Sequence, residues 1–168
     1  MRVTDEGVPI QELIGTIQRA IKIANVSNTD PGRDVRVGTV QVVLNTVATR
    51  SLGGGVDFRV PFIGMPIKVG SKLTRQDTHR IEINLVPPDL RGQPEVRDTD
   101  LISVFVDAIN TIRAMVASAA TGDDPFTLTG SRVDISFAVT EEGTISLGID
   151  GTLANELTHT LTLGLVSA

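Results

Sequence analysis

The chain has no cysteine, no tryptophan and no tyrosine, and aromatic residues make up only 3% of its 168 positions. The lack of cysteine excludes a disulfide framework and any thiolate metal site. It is compatible with a reducing compartment. The lack of aromatics means that any core is aliphatic, and that stacking platforms for nucleic-acid bases are missing. Positive charge is also short: the net charge is −5, whereas a phosphate-backbone binder shows a basic excess. No segment approaches the roughly 18 apolar residues of a membrane span. The opening Met1–Gly7 carries Arg2, Asp5 and Glu6 and is not an apolar secretory core. These absences predict a cytoplasmic protein that binds neither nucleic acid nor membrane.

Catalytic signatures are missing too. There is no Gly-x-Ser-x-Gly elbow. Gly53-Gly54-Gly55 lacks the following Gly-Lys-Ser/Thr of a phosphate loop and precedes a strand pattern, so it reads as a hairpin connection. Gly70-Ser71-Lys72 fails for similar reasons. Asp30, Asp34, Asp98, Asp100, Asp123 and Asp124 are not spaced as a calcium loop requires, and they read as caps and solvated loops. We expect no enzyme, no cofactor and no metal.

What is present is an internal repeat. Leu13-Ile14-x-x-Ile17-x-x-Ala20-Ile21 returns as Leu101-Ile102-x-x-Phe105-x-x-Ala108-Ile109. The strand-like Thr78-His79-Arg80-Ile81-Glu82-Ile83 returns as Thr158-His159-Thr160-Leu161-Thr162-Leu163. In the first copy Ile10, Leu13, Ile14, Ile17, Ile21 and Ala24 share a face at helical spacing, starting near Pro9. In the second, Leu101, Phe105, Ala108, Ile109, Ile112 and Val116 do so, capped by Asp98, Thr99 and Asp100. Strand patterns follow. Val35 and Val37 alternate before Gly38, and Val40, Val42 and Leu44 continue on the opposite parity. Phe126 and Leu128 before Gly130, then Val133, Ile135 and Phe137, repeat that shift. A parity change at glycine marks a bulge or bend. Val56, Phe58 and Val60 then pair with the preceding strand through Ser51–Gly55; Glu141-Glu142-Gly143 makes what reads as a tighter counterpart.

The expected fold class is α+β, with two α-β-β-β repeats of antiparallel strands and one amphipathic helix per repeat. Residues 1–90 form the first, 91–100 a linker and 101–168 the second, all within reach of one domain. A three-stranded unit with one helix buries little surface alone. A pseudo-twofold intramolecular dimer answers that shortage. The uncharged stretch 157–166 must then be a central strand or be covered, since exposed at an edge it would aggregate.

The order of helix, Gly38-Thr39-Val40-Gln41-Val42-Val43-Leu44, Gly54-Gly55-Val56-Asp57-Phe58-Arg59-Val60 and Thr74-Arg75-Gln76-Asp77-Thr78-His79-Arg80-Ile81-Glu82-Ile83 resembles the trypsin-co-occurring domain family, type 2. The resemblance covers the first half; the second is a weaker match, making a tandem copy. It implies a small bacterial α+β module found beside trypsin-like peptidases and other effectors. It implies non-catalytic association, with a peptidase or other effector as partner, in a conflict or signalling system. It supplies no catalytic residues.

Two candidate sites follow from the residues themselves. Arg50, Arg59, Lys68, Lys72 and Arg75 make the first repeat locally basic and form the candidate partner surface. His79 and His159 are the only histidines and occupy equivalent positions, each opening a strand. With no fixed carboxylate they make a poor metal pair, and a structural role at the sheet rim is expected. The functional expectation is a protein-interaction or adaptor module that meets an effector or a second copy of itself. The rival is a small apolar-ligand binder or an unrecognised enzyme, with Val42, Phe58, Ile83, Phe137 and Leu163 around a pocket between the repeats.

Overall fold

Pro9 lacks a backbone N–H, and the periodic apolar pattern begins beside it, so a helix starts where the chain first gains both. In the computed structural model, strand β1 (Val8–Pro9) leads directly into helix α1 (Ile10–Val26). The structure describes residues 7–26, 35–61, 78–88, 103–119, 121, 128–140, 142–147 and 158–167. Within them follow β2 (Val35–Arg50), β3 (Val56–Val60), β4 (His79–Leu85), α2 (Ser103–Ser118), β5 (Ser131–Val139), β6 (Ile145–Ser146) and β7 (His159–Ser167). The class is α+β: two helices and a seven-stranded antiparallel sheet among the described residues. The strand order is β1-β3-β2-β7-β5-β6, with β4 also paired to β2. The uncharged β7 is therefore a central strand.

The helix begins beside Pro9, as expected. β1, which the sequence pattern did not announce, pairs with β3 at Val8↔Val60 and Pro9↔Arg59. Two residues carry no periodicity to detect. Two local expectations are corrected. The hairpin at Glu141–Gly143 is not tighter than its counterpart. Both close with the same bonds: Ser51 N–H to Gly55 O at 2.9 Å and Thr140 N–H to Thr144 O at 2.9 Å. Both place a glycine at positive φ, Gly54 at 85° and Gly143 at 75°, as three-residue loops require. Ser51 Oγ and Thr140 Oγ1 each accept the N–H four residues on. The second correction concerns the second copy's middle strand, expected from the alternation of Ile145, Leu147 and Ile149: β6 stops at Ser146, so Leu147 lies beyond it, and Ile149 lies outside the described residues.

Contact density divides the chain into two units, each taking segments from both sides of residues 91–100. The first joins residues 1–16, 42–83 and 135–161. Its core holds Val8, Leu13, Val42, Leu44, Thr46, Val60, Phe137, Val139, His159 and Leu161. The second joins residues 17–41, 84–134 and 162–168. Its core holds Ile17, Ala20, Ile21, Ala24, Val35, Val37, Val40, Phe105, Ile109, Arg113, Leu163 and Leu165.

The parity change at Gly38 is present: Val35 and Val37 are buried, then Val40, Val42 and Leu44. Its glycine also makes room. A Cβ on Gly38 would meet Val166 Cγ2 at 2.9 Å, and a Cβ on Gly164 would run into Thr39 Oγ1. Each strand thus offers a glycine to a branched side chain of the other. Close-packed interiors resist even one added carbon.

The start of β2 is held from two helices. The Asn25 amide pairs with the Val37 peptide, Oδ1 accepting from its N–H at 3.0 Å and Nδ2 donating to its carbonyl at 3.3 Å. Arg113, 2% exposed, donates from Nε to Val35 O at 2.6 Å and from Nη1 to Ala24 O. Ala24 sits in the last turn of α1, where unsatisfied carbonyls favour a cation. The spacing that relates Leu13 to Leu101 also relates Asn25 to Arg113. Arg113 was missed by sequence reasoning because a charged residue on an apolar face reads as a solvated one.

Gly164→Ala is expected to cost about 1–3 kcal/mol through overpacking. Thr39→Ala in the same chain removes the obstructing hydroxyl and restores most of the loss, read as a coupling in a double-mutant cycle of urea unfolding. Simple additivity would contradict the contact.

Candidate functional site

Side chains on a strand alternate, so the face of β2 that carries Val40, Val42, Leu44 and Thr46 also carries Ala48 and Arg50. The first four are buried and the last two exposed. The pairing Ala48↔Phe58 and Arg50↔Val56 puts Phe58 and Val56 on that same face, together with buried Val60. The core-directed face of the hairpin therefore continues beyond the core. Val56 is 62% exposed, Phe58 39%, and Leu52 at the turn is fully exposed. They are three of the five large exposed hydrophobic residues among the described ones. Phe58 meets His79 edge-on, with ring centroids 5.8 Å apart and planes at 82°. Apolar groups, a guanidinium and an imidazole thus share one solvent-facing side. Such a surface suits protein contact better than solvent.

The predicted basic surface is divided. Arg50 lies on this face. Arg59 pairs with Val47 and Pro9 and lies on the opposite face of β3, half-buried. Lys68, Lys72 and Arg75 lie outside the described residues. The apolar part of the surface escaped the charge-based reading. Its signal was the alternation of Val56 and Phe58 next to a glycine turn.

The two histidines occupy equivalent strand starts and different surroundings. His79 is exposed, and its carbonyl accepts from Thr46 Oγ1 at 3.0 Å. His159 is 1% exposed, beside Phe137 with ring centroids 5.3 Å apart. Its Nδ1 accepts from Asn45 N–H at 3.1 Å, and Asn45 Nδ2 donates to Thr158 O at 2.6 Å. An accepting Nδ1 puts the proton on Nε2, a buried N–H with no acceptor among the described residues. Burial pushes the imidazole down to about 4 from its ordinary 6.5. No group of three or more His, Cys, Asp or Glu among the described residues could hold a metal.

The five residues of the rival pocket are dispersed in environment. Val42, Phe137 and Leu163 are fully buried, Phe58 is exposed and Ile83 half-buried. A groove of 410 Å³ in the second unit is lined by none of them. Val40, Leu85 and Val86 line it together with polar side chains: Gln41 Nε2 donates to Asn84 Oδ1 at 3.1 Å on one side. On the other, Thr162 Oγ1 donates to Asp134 Oδ1 at 2.5 Å, with Arg132 Nε at 3.5 Å from the same oxygen. The Thr162 hydroxyl is the main cause holding the exposed Asp134 carboxyl below its ordinary value.

Residues 8–87, which hold the hairpin, β4 and α1, match the family model of trypsin-co-occurring domain 2. The match covers just under half of the chain. The domain 2 segment ends two residues after β4, so α2 and β5 to β7 lie beyond the match. No curated protein and no solved structure matches the chain. No described helix is long and apolar enough to cross a membrane.

The His159 environment sets a pH dependence. The unfolded imidazole takes up its proton near 6.5 and the folded one only near 4, so the unfolded chain binds more protons between those values. Stability is whole above the ordinary value and falls as pH drops toward the folded one. The loss amounts to about 2 kcal/mol between pH 7.5 and 5. Urea midpoints across that range should show it, and His159→Gln should remove that part of the slope. An unchanged slope in the variant would assign the dependence to other groups.

Proposed function

We propose that the chain is a non-catalytic protein-interaction module, cytoplasmic, that serves a bacterial peptidase- or effector-linked conflict or signalling system. The observation that carries this reading is the β2–β3 hairpin, whose core-directed face continues into solvent with Leu52, Val56 and Phe58 beside Arg50. Folding alone gives no reason to expose these groups together. A monomer gains by covering them, at roughly 25 cal/mol per Å² of apolar surface. A docked partner supplies that cover. The match of residues 8–87 to a domain named for its co-occurrence with trypsin supports a peptidase or a related effector as the partner. The tandem-repeat reading fits the same purpose, with the second copy stabilising the first and leaving the first copy's hairpin for contact.

The test is affinity capture from the native host. The wild-type chain should enrich a peptidase or other effector. A variant with Leu52→Ser, Val56→Ser and Phe58→Ser should lose that enrichment at least tenfold. These positions are exposed, so its thermal midpoint should stay within a few degrees of wild type. Undiminished capture by a folded variant would remove the hairpin from the interaction.

A further inference from the structure

Strand β4 pairs with β2, and among the described residues no strand pairs with its other edge. It is also the one described strand that contains no buried residue. His79, Arg80 and Glu82 are exposed, and Ile81 and Ile83 are half-buried. An edge of this kind is a template for a further strand. The His79 carbonyl turns toward β2, where Thr46 Oγ1 donates to it at 3.0 Å. Backbone groups alternate in direction along an antiparallel strand. The N–H and C=O of Arg80 and Glu82 therefore turn to the outer edge, and those of Ile81 turn to β2. Side chains alternate as well: Arg80 and Glu82 share one face, and His79, Ile81 and Ile83 share the other.

We propose that this edge is a self-association site: β4 of a second copy of the chain pairs with it antiparallel, about a twofold axis at Ile81. That register sets Arg80 opposite Glu82 of the second copy, and Glu82 opposite Arg80 of the second copy. These are the residues whose backbone groups turn outward, so the same pairs carry the ladder bonds and the opposite charges. On the other face Ile81 meets its own counterpart at the close, non-bonded spacing, and His79 meets Ile83 of the second copy. Charge selects the register. An axis at Glu82 would set two carboxylates directly opposite, and an axis at Arg80 two guanidiniums, and like charges so placed are destabilising. A carboxylate has about four acceptor sites, so Glu82 can take an arginine of the second copy beside any donor of its own chain. The contact uses the same patch on both copies and closes on itself, so association stops at a dimer. Leu52, Val56 and Phe58 lie on β3 and its turn and take no part in the pairing, so the dimer presents the hairpin twice.

The test is sedimentation equilibrium of the full chain from about 10 µM to about 1 mM, because a contact confined to one strand lies at the weak end of specific interfaces. A monomer–dimer equilibrium is expected. Arg80→Glu and Glu82→Arg should each weaken it about tenfold or more, by setting like charges opposite at both pairs. Combining the two reversals makes the charges opposite again and should restore the dimer. Both positions are exposed, so thermal midpoints should stay within a few degrees of wild type. A covalent check uses the lack of native cysteine. Ile81→Cys should form an interchain disulfide under mild oxidation, since non-bonded partners lie about 4.5 Å apart at Cα. Ile83→Cys should not, since the register separates its two copies by about four residues, or about 13 Å. A chain that stays monomeric through the whole range, single reversals that leave the dimer intact, a folded double reversal that fails to restore it, or equal cross-linking of both cysteine variants would overturn the proposal. The triple serine hairpin variant should dimerise as the wild type does; loss of its dimer would place the contact on the hairpin and overturn the proposal too. Dimerisation is read without any partner, so this inference and the interaction reading above can each fail alone.

Discussion

Strand β2 is the member on which the other elements depend. It runs for 16 residues and pairs with β3, β4 and β7. Its first residues are held by Asn25 and Arg113, which bond the peptide of Val37 and the carbonyl of Val35. Its middle is held by exclusion and by a buried imidazole: Thr39 fits over Gly164, Val166 over Gly38, and His159 accepts the Asn45 N–H. Its end leaves the core on that side, and Ala48 and Arg50 emerge into solvent. A strand longer than the core it serves has to present something. This one presents a hairpin whose inner side is apolar.

The polar groups inside the core show why β2 is held so firmly. Arg113 is a buried guanidinium, and leaving either of its carbonyl partners without a donor would cost about 1–3 kcal/mol for each group. It joins the last turn of α1 to the beginning of β2. Thr46 and Asn45, neighbours on β2, bond the starts of β4 and β7 respectively. The equivalent histidines thus flank the same short stretch, one exposed and one enclosed. Equivalent sequence positions acquire different chemistry when their surroundings differ, since burial pushes the His159 imidazole down to about 4.

Much of this was legible in the residues. Helical spacing gave both helices, alternation gave the strands of the first half, and the lack of charge in 157–166 placed β7 inside the sheet. The parity change at Gly38 was readable because strand side chains have a fixed period. Other features were not legible. Arg113 occupies an apolar stripe position, and only coordinates show which carbonyls it meets. β1 is two residues long and owes its existence to pairing with Val60 and Arg59. The candidate site was half visible: Arg50 was identified by charge, but the register that places it with Val56 and Phe58, and turns Arg59 away, comes from the turn geometry. Composition locates charge; pairing decides which side it faces.

The account makes the hairpin a surface that carries exposed apolar side chains next to a covered core. Residue-by-residue amide hydrogen exchange of the free protein addresses this directly. The amides of Asp57 and Arg59, turned toward β2, should be protected, while that of Val56, turned away from it, should exchange at least tenfold faster. Equal protection of all three would mean that the outer edge is already covered, and would contradict the account.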